Sequence, residues 1–153
     1  MLEILNLACA VGSGLMAGVF FAFSVSVMRA LRSVPGPCGI AVMQLINVAI
    51  INPVFLSVFL GTAGACVLVA GLSIAQAATV TWPHIAGSAL YLIGVLLVTM
   101  RFNVPLNNAL ARVSPESPEG EKLWRTYLSQ WTAWNHVRTI ASLGALLSFA
   151  LAR

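Results

Sequence analysis

The sequence lacks charge over almost half of its length. Between Ser33 and Met100 there is no Lys, Arg, Asp or Glu. Over all 153 residues, 59% are hydrophobic and 8% are charged, and the mean hydropathy is +0.94. A soluble domain carries roughly 25% charged residues. This composition excludes a water-soluble globular protein and indicates that the chain is solvated by lipid.

The motifs of several common sites are also missing. The three cysteines, Cys9, Cys38 and Cys66, form no CxxC or Cys/His spacing, so we expect small buried hydrophobic side chains and no zinc site. There is no Gly-rich phosphate loop, no Ser/His/Asp set and no carboxylate-bridged metal site. The net charge of +4 comes from basic residues beside apolar runs, which indicates membrane orientation, and no nucleic-acid partner is expected.

Four long apolar runs predict the fold. They cover approximately residues 4–31, 39–77, 84–112 and 119–152 of a single integral membrane domain, 1–153. Three of them are clearly longer than the roughly 20 residues that cross the hydrocarbon core, and they do not alternate as barrel strands would. We predict an all-α, up-down, four-helix transmembrane bundle whose helices extend into a cytoplasmic head. Pro53 should kink or break the second run.

The basic residues predict the orientation. Arg29 and Arg32 flank the first connector, and the second connector has no charge. The third connector is flanked by Arg101, Arg112, Lys122 and Arg125. Because positive charge favours the cytoplasmic side, we expect both termini outside the cytoplasm, in the inner (cytoplasmic) membrane of a bacterium. The first run is preceded by Glu3 and followed by its basic residues, so we expect it to be retained and not removed as a signal peptide.

Small residues mark expected helix contacts, because they let backbones approach closely in lipid. Gly14 and Gly18 form a G-x-x-x-G pair on the first run. The second and third runs carry Gly61, Gly64, Gly71, Gly87 and Gly94. Packing within the bundle accounts for all of them, and self-association is the alternative.

Candidate functional residues collect on the predicted cytoplasmic side. Asn103 and Asn107, at the end of the third run, are four residues apart and share a helix face. Buried carboxamides are costly without partners, so these residues either close the helix end as a polar network or contact a ligand. Gln44 and Asn47 of the second run, together with Arg29 of the first, are expected in the same layer as further ligand contacts.

The fourth run carries a polar and aromatic stripe. Trp124, Trp131, Asn135 and Arg138 fall on one helix face, with Trp134 beside it. Arg138 precedes an apolar stretch, where an ionisable residue is a functional-site candidate that requires a partner. Glu119 and Glu121 lie at the start of the fourth run, several turns before Arg138. No acidic residue is therefore available within the spans as that partner, so Asn side chains, backbone carbonyls or an anionic ligand must serve. The alternative is that Arg138 reaches lipid phosphate. Trp131, Trp134 and Asn135 are predicted ligand contacts.

Two histidines are present. His136 lies among these polar residues and is a candidate general base at neutral pH; the alternative is an interfacial histidine satisfied by its neighbours. His84 starts the third run, and the helix from His84 to Arg101 at its other end spans about 25 Å. The two histidines therefore cannot share a metal ion. Polar groups from four helices between apolar and aromatic walls are typical of a small-molecule pocket.

These motifs resemble the anthrone oxygenase-like family of small integral membrane proteins, mostly of unknown function. The shared segments are Gly18-Val-Phe-Phe-Ala-Phe23, Met43-Gln-Leu-Ile-Asn47 with Asn52-Pro53, Asn103-Val-Pro-Leu-Asn107, and Trp131-Thr-Ala-Trp134-Asn135-His136-Val-Arg138-Thr139. The resemblance covers nearly the whole chain. It implies a shared fold and, from characterised fungal members, oxidation of anthrones to anthraquinones by dioxygen without a metal or flavin.

The resemblance also implies roles for the polar residues. Removing the acidic C–H proton of an anthrone gives an electron-rich anion that reacts with dioxygen. His136 would be the base, and Arg138, Asn103 and Asn107 would stabilise the developing oxyanion. The tryptophans of the last motif would stack on the rings. No cofactor is predicted, although a haem held by His136 stays open.

Two other functions compete with this one. A non-enzymatic membrane protein would bind a lipid or quinone-like molecule, or serve as an accessory subunit of a larger membrane complex. A transporter is least favoured, because the sequence has no acidic relay and no evident inverted repeat. The expected partners are the lipid bilayer and a small hydrophobic or aromatic ligand. A homo-oligomer or a larger membrane complex stays open.

Overall fold

The residues that the structure describes are mostly helical. The structure, a computed structural model, describes residues 1–75 and 82–152. The helices in chain order are α1 (Leu2–Arg32), α2 (Gly36–Ala49), α3 (Pro53–Ala75), α4 (Trp82–Leu110) and α5 (Pro118–Leu151). No strand occurs within the described ranges, so the predicted all-α class is confirmed.

The second predicted run consists of two helices. α2 ends at Ala49 and α3 begins at Pro53, whose ring nitrogen has no hydrogen to donate to the preceding turn. Asn52 stabilises the break. Its Oδ1 accepts from the backbone N–H of Phe55 at 3.0 Å, and its Nδ2 donates to the Ala49 carbonyl at 3.0 Å. The predicted end of this run, at residue 77, lies outside the described residues.

Three helices, α1, α3 and α4, are long and apolar enough to cross a membrane. Large apolar side chains cover their outer faces; Ile4 and Val54, for example, are 75% and 77% exposed. Such surfaces suit contact with lipid acyl chains. α5 is not one of these three, because Asn135, His136 and Arg138 interrupt its apolar stretch. Three helices, and not the predicted four, therefore have the composition of membrane spans.

Two of the helices contain π-helical segments. α1 has one at Phe23–Val27, and α4 has two, at Leu90–Leu97 and Thr99–Asn103. A π-helix bonds each carbonyl to the N–H five residues later and so carries more residues per turn than an α-helix. The side chains that follow each segment therefore point in directions that an α-helical periodicity does not predict.

The α1 and α5 helices run antiparallel and are in contact from end to end. Near the start of α1, Asn6 Nδ2 donates to the carbonyl of Phe149, near the end of α5, at 3.0 Å. At the other end of α1, Arg32 Nη2 donates to the carbonyl of Leu128 at 3.4 Å. These hydrogen bonds fix the register in which the polar side chains of α5 meet α1.

Two clusters of buried side chains form the interior. The span cluster lies among α1, α3, α4 and the end of α5, and includes Phe20, Phe59, Tyr91 and Phe149. The head cluster joins the end of α1, α2, the end of α4 and the start of α5, and includes Met43, Leu110, Trp124, Tyr127 and Trp131. The candidate site lies where the two clusters meet.

Gly94 lies at a close contact between α4 and α5. A Cβ added at Gly94 would lie 2.5 Å from the Cβ of Ala141, which the α5 backbone holds in place. Gly64, which the sequence pattern also predicts at a helix contact, has no described heavy atom within 4 Å of such a Cβ. Glycines of the same pattern therefore differ in what they contribute to packing.

We expect Gly94→Ala to destabilise the fold by about 1–3 kcal/mol, because α4 and α5 must separate to accommodate the methyl group. Thermal unfolding in detergent, followed by circular dichroism, measures the change. Gly64→Ala is the matched control and should leave the midpoint unchanged or raise it, since alanine favours helix. Equal midpoints for the two variants would contradict the close contact.

Candidate functional site

A cavity of about 240 Å³ lies where all five helices approach one another. Most of its wall is apolar and comes from side chains such as Phe20, Phe23, Ile46 and Phe55. The polar groups of the wall are Asn47, Thr99, Asn107, Trp131, Asn135 and Arg138. An apolar cavity with a few polar groups is the usual form of a small-molecule site.

Arg138 is the one charged residue among the described residues of the wall, and it is only 5% exposed. Its Nη2 donates to Asn135 Oδ1 at 2.8 Å, and its Nη1 donates to Thr99 Oγ1 at 3.3 Å. Its Cζ lies 4.3 Å from the ring centroid of Phe20 and 5.1 Å from that of Trp131. The guanidinium is thus held by neutral hydrogen-bond acceptors and two aromatic faces.

No described carboxylate neutralises Arg138. The four acidic residues, Glu3, Glu116, Glu119 and Glu121, are all exposed, and the ion pair found in the described chain joins Glu121 to Arg125 at the surface. Arg138 Nε is buried and has no hydrogen-bond partner among the described residues. A buried charge is costly without a counter-charge, and the described groups around Arg138 are all neutral.

Asn135 positions Arg138 and ties α5 to α1. It is fully buried. Its Nδ2 donates to the carbonyl of Phe20 at 2.7 Å and to Ser24 Oγ at 2.8 Å, which leaves Oδ1 to accept from Arg138. Ser24 belongs to the π-helical segment of α1. Such segments recur at functional sites, where they redirect side chains and backbone groups.

Asn107 organises the other polar part of the wall. Its Oδ1 accepts from the Tyr127 hydroxyl at 2.8 Å and from Trp131 Nε1 at 2.7 Å. Asn47 Nδ2 donates to the same hydroxyl at 3.4 Å. Because indole nitrogen only donates, the amide orientation of Asn107 is fixed. Its Nδ2 makes no hydrogen bond to another described residue.

Five of the ten residues predicted from the sequence line the cavity, namely Asn47, Asn107, Trp131, Asn135 and Arg138. His136 and Arg29 do not, and both are exposed. His136 is two residues from Arg138, a spacing at which helix side chains do not face the same way. The expectation that His136 shares a space with Arg138 is therefore not met.

The other three predicted residues also lie outside the wall, and each has a partner elsewhere. Gln44 Nε2 donates to the carbonyl of Leu110, the last residue of α4, at 2.8 Å and to that of Val113, just beyond it, at 3.1 Å. Asn103 Nδ2 donates to the Trp131 carbonyl at 3.2 Å. Trp134 stacks on Phe102 with ring centroids 3.7 Å apart. These contacts join helices to one another.

The sequence-based prediction missed three residues of the site. Phe20 faces the guanidinium, and Ser24 and Thr99 accept hydrogen bonds from Asn135 and Arg138. Phe20 belongs to the Gly18-Val-Phe-Phe-Ala-Phe23 segment, whose family resemblance was a signal. Ser24 and Thr99 had none, because isolated hydroxyls in apolar helices are common.

None of the three cysteines lines the cavity. Cys9 and Cys66 are buried, with their sulfurs 3.8 Å apart between α1 and α3. Cys38 is exposed in α2. Across residues 1–75 and 82–152, no group of three or more His, Cys, Asp or Glu side chains is placed to hold a metal ion.

The described residues define an apolar helical protein with three helices of membrane-spanning composition and a largely apolar cavity beside a buried cation. A family model described as anthrone oxygenase matches residues 43–148. The chain therefore belongs to the anthrone oxygenase family. The matched region contains every polar residue of the cavity wall, whereas α1 lies outside it. No match was found among curated proteins or among solved structures.

Replacing Asn135 with alanine should destabilise the protein by about 3 kcal/mol, because the Phe20 carbonyl, Ser24 and Arg138 lose a partner together. Chemical or thermal unfolding in detergent measures the loss. The adjacent variant His136→Ala removes an exposed side chain and should stay within about 0.5 kcal/mol of the wild type. If His136→Ala destabilises as much as Asn135→Ala, the assignment of Asn135 is wrong.

Proposed function

We propose that this protein is an oxygenase that acts on a flat hydrophobic molecule bearing an oxygen that becomes anionic during the reaction. The observation that carries the proposal is Arg138, a buried cation on an apolar cavity with no described carboxylate beside it. An enolate or phenolate oxygen at this position would supply the missing negative charge. Family membership supports an anthrone-type substrate.

The walls suit a flat aromatic molecule. Phe20, Phe23 and Trp131 line the cavity, and Phe23 and Trp131 contact each other with ring centroids 5.6 Å apart. Aromatic rings bury large apolar areas and stack with favourable geometry. A fused-ring ketone placed among these side chains would bury its faces and bring one edge to the guanidinium.

The proposed chemistry depends on stabilising an anion. Loss of the acidic ring C–H proton moves negative charge onto the ketone oxygen, and the resulting enolate reduces dioxygen; overall, one anthrone and one dioxygen give one anthraquinone and one water. Arg138 and the free Nδ2 of Asn107 would donate hydrogen bonds to this oxygen and favour ionisation. Since His136 faces away, we assign the proton to water, and the proposal, like the family resemblance, includes no metal or flavin.

A non-enzymatic ligand-binding function is the second candidate. One observation favours it: the described residues of the wall include no histidine and no carboxylate, so the wall supplies no ordinary general base. A protein of this kind would hold an anionic or quinone-like molecule at Arg138 without converting it. Turnover measurements separate the two candidates.

We also propose that α5 crosses the membrane beside α1, α3 and α4 in an up-down arrangement. Its outer face presents Ile140, Leu147 and Leu151, which are 72%, 61% and 74% exposed, as expected for contact with lipid. Basic residues concentrate at the α1–α2 and α4–α5 connections, which supports an orientation with the head cluster in the cytoplasm of a bacterium and both termini outside it.

Cys38 tests this orientation because it is exposed in the head region, whereas Cys9 and Cys66 are buried. In bacterial spheroplasts that express the protein, a membrane-impermeant maleimide should label Cys38 only after the membrane is permeabilised. Cys38→Ser should remove the labelling that appears after permeabilisation. Labelling of Cys38 in intact spheroplasts would show that the orientation is the opposite of the proposed one.

Arg138→Gln should lower kcat for anthrone oxidation by roughly 100-fold, the effect of removing one oxyanion-stabilising group. Purified protein, an anthrone and air are mixed, and anthraquinone formation is followed by absorbance against the buffer rate. His136→Ala is the matched control on the same helix and should retain wild-type activity.

The outcomes distinguish the candidate functions. A wild-type rate no faster than buffer, combined with binding of anthraquinone that Arg138→Gln abolishes, would establish the non-enzymatic function. A large loss in His136→Ala with none in Arg138→Gln would transfer the catalytic role to the exposed histidine.

A further inference from the structure

Two residues of the cavity wall are also exposed at the protein surface. Ile51 lies in the link between α2 and α3 and is 70% exposed, and Val104 of α4 is 39% exposed. The other described residues of the wall are buried or half-buried. These two side chains indicate an opening of the cavity between the α2–α3 link and α4.

The surface around this opening is apolar on the side of the link. Leu45, Val48 and Val54 precede and follow the helix break and are 70%, 73% and 77% exposed. Carbon-rich surface of this extent suits the hydrocarbon region of a bilayer. An opening with such a rim would be unfavourable in contact with bulk water.

On the α4 side the rim becomes polar. Met100 is 62% exposed, while Arg101 and Asn108, within about one turn of Val104, are also exposed. Arginine near a membrane boundary extends its charged head toward the lipid headgroups while its methylene stem stays in the apolar region. This change from apolar to polar side chains is what a surface at the boundary between the hydrocarbon core and the headgroups would present.

The helix break makes this opening. Asn52 and Pro53 end one helix and begin another, so residues 50–52 form a link in place of continuous helix. Ile50 and Ile51 from this link, with Phe55 from the first turn of α3, form one side of the cavity wall. A continuous helix here would present a ridge of side chains along that side.

We propose that the cavity opens sideways into the bilayer between Ile51 and Val104, and that its ligand enters from the lipid and not from the cytoplasm. The ligand class is an apolar fused-ring molecule that partitions into the membrane and carries a polar atom at its edge. This route is independent of whether the bound molecule is converted, so it holds for either candidate function.

Met43 provides a test that needs no knowledge of the ligand. It lines the cavity and is fully buried, so a thiol placed there by Met43→Cys is reached only through the cavity. In a Cys38→Ser background reconstituted in lipid vesicles, flat, membrane-soluble pyrenyl maleimide should label this thiol. A charged, membrane-impermeant maleimide should not. Labelling is quantified by mass spectrometry, and the labelling of denatured protein defines the value for complete reaction.

Val104→Phe and Ile51→Phe narrow the opening and should each slow pyrenyl maleimide labelling by about tenfold, within the range over which entry rates vary among variants of one site. Val48→Phe adds the same ring to exposed apolar surface outside the wall and should leave the rate unchanged. At a fixed amount of reagent, adding empty vesicles dilutes the reagent over more lipid. The labelling rate should then fall in proportion to the amount of reagent per unit of membrane.

Three outcomes would overturn the proposal. The first is that the impermeant maleimide labels Met43→Cys faster than pyrenyl maleimide does. The second is that Val48→Phe slows labelling as much as Val104→Phe. The third is that pyrenyl maleimide does not label the folded Met43→Cys protein, although it labels the denatured protein fully. None of them bears on anthrone turnover, so failure of the lateral route is distinguishable from failure of the proposed oxygenase function.

Discussion

The guanidinium of Arg138 is buried with neutral partners alone among the described residues, and the surrounding structure is arranged to satisfy it. Two side-chain oxygens accept its hydrogen bonds, and two aromatic faces lie against it. Asn135 can serve as one of these acceptors because its own amide is fixed by the Phe20 carbonyl and Ser24. Since a lone buried charge is unfavourable, these contacts limit how α1, α4 and α5 can be placed relative to one another.

The same arrangement creates the cavity. Trp131 is fixed at one edge by Asn107 and presents its face to Arg138, so it stands between the two polar parts of the wall. The break between α2 and α3 supplies the opposite wall and leaves Ile51 both exposed and in contact with the cavity. The break therefore contributes to the cavity wall and, in the proposed lateral route, to the entrance.

Much of the fold followed from composition and periodicity. The helical class, the break at Pro53 and the buried stripe of Trp131, Asn135 and Arg138 agree with the sequence pattern, because residues three and four apart share a helix face. The same rule places His136 away from that stripe, although its polar neighbours made it a candidate base. Proximity in sequence was the weaker guide because side-chain direction in a helix changes by about 100° per residue.

The sequence alone determined that the chain is apolar, helical and related to the anthrone oxygenases, since these properties depend on composition and on local motifs. It also showed that Arg138 would lack an acidic partner, because Glu3 and Glu116 lie outside the apolar runs and Glu119 and Glu121 lie at the start of the fourth run, several turns before Arg138. Only the tertiary structure decided which polar side chains meet. The π-helical segments of α1 and α4 alter the register of their faces, and Phe20, Ser24 and Thr99 reach the site through packing between helices distant in sequence, which local patterns do not encode.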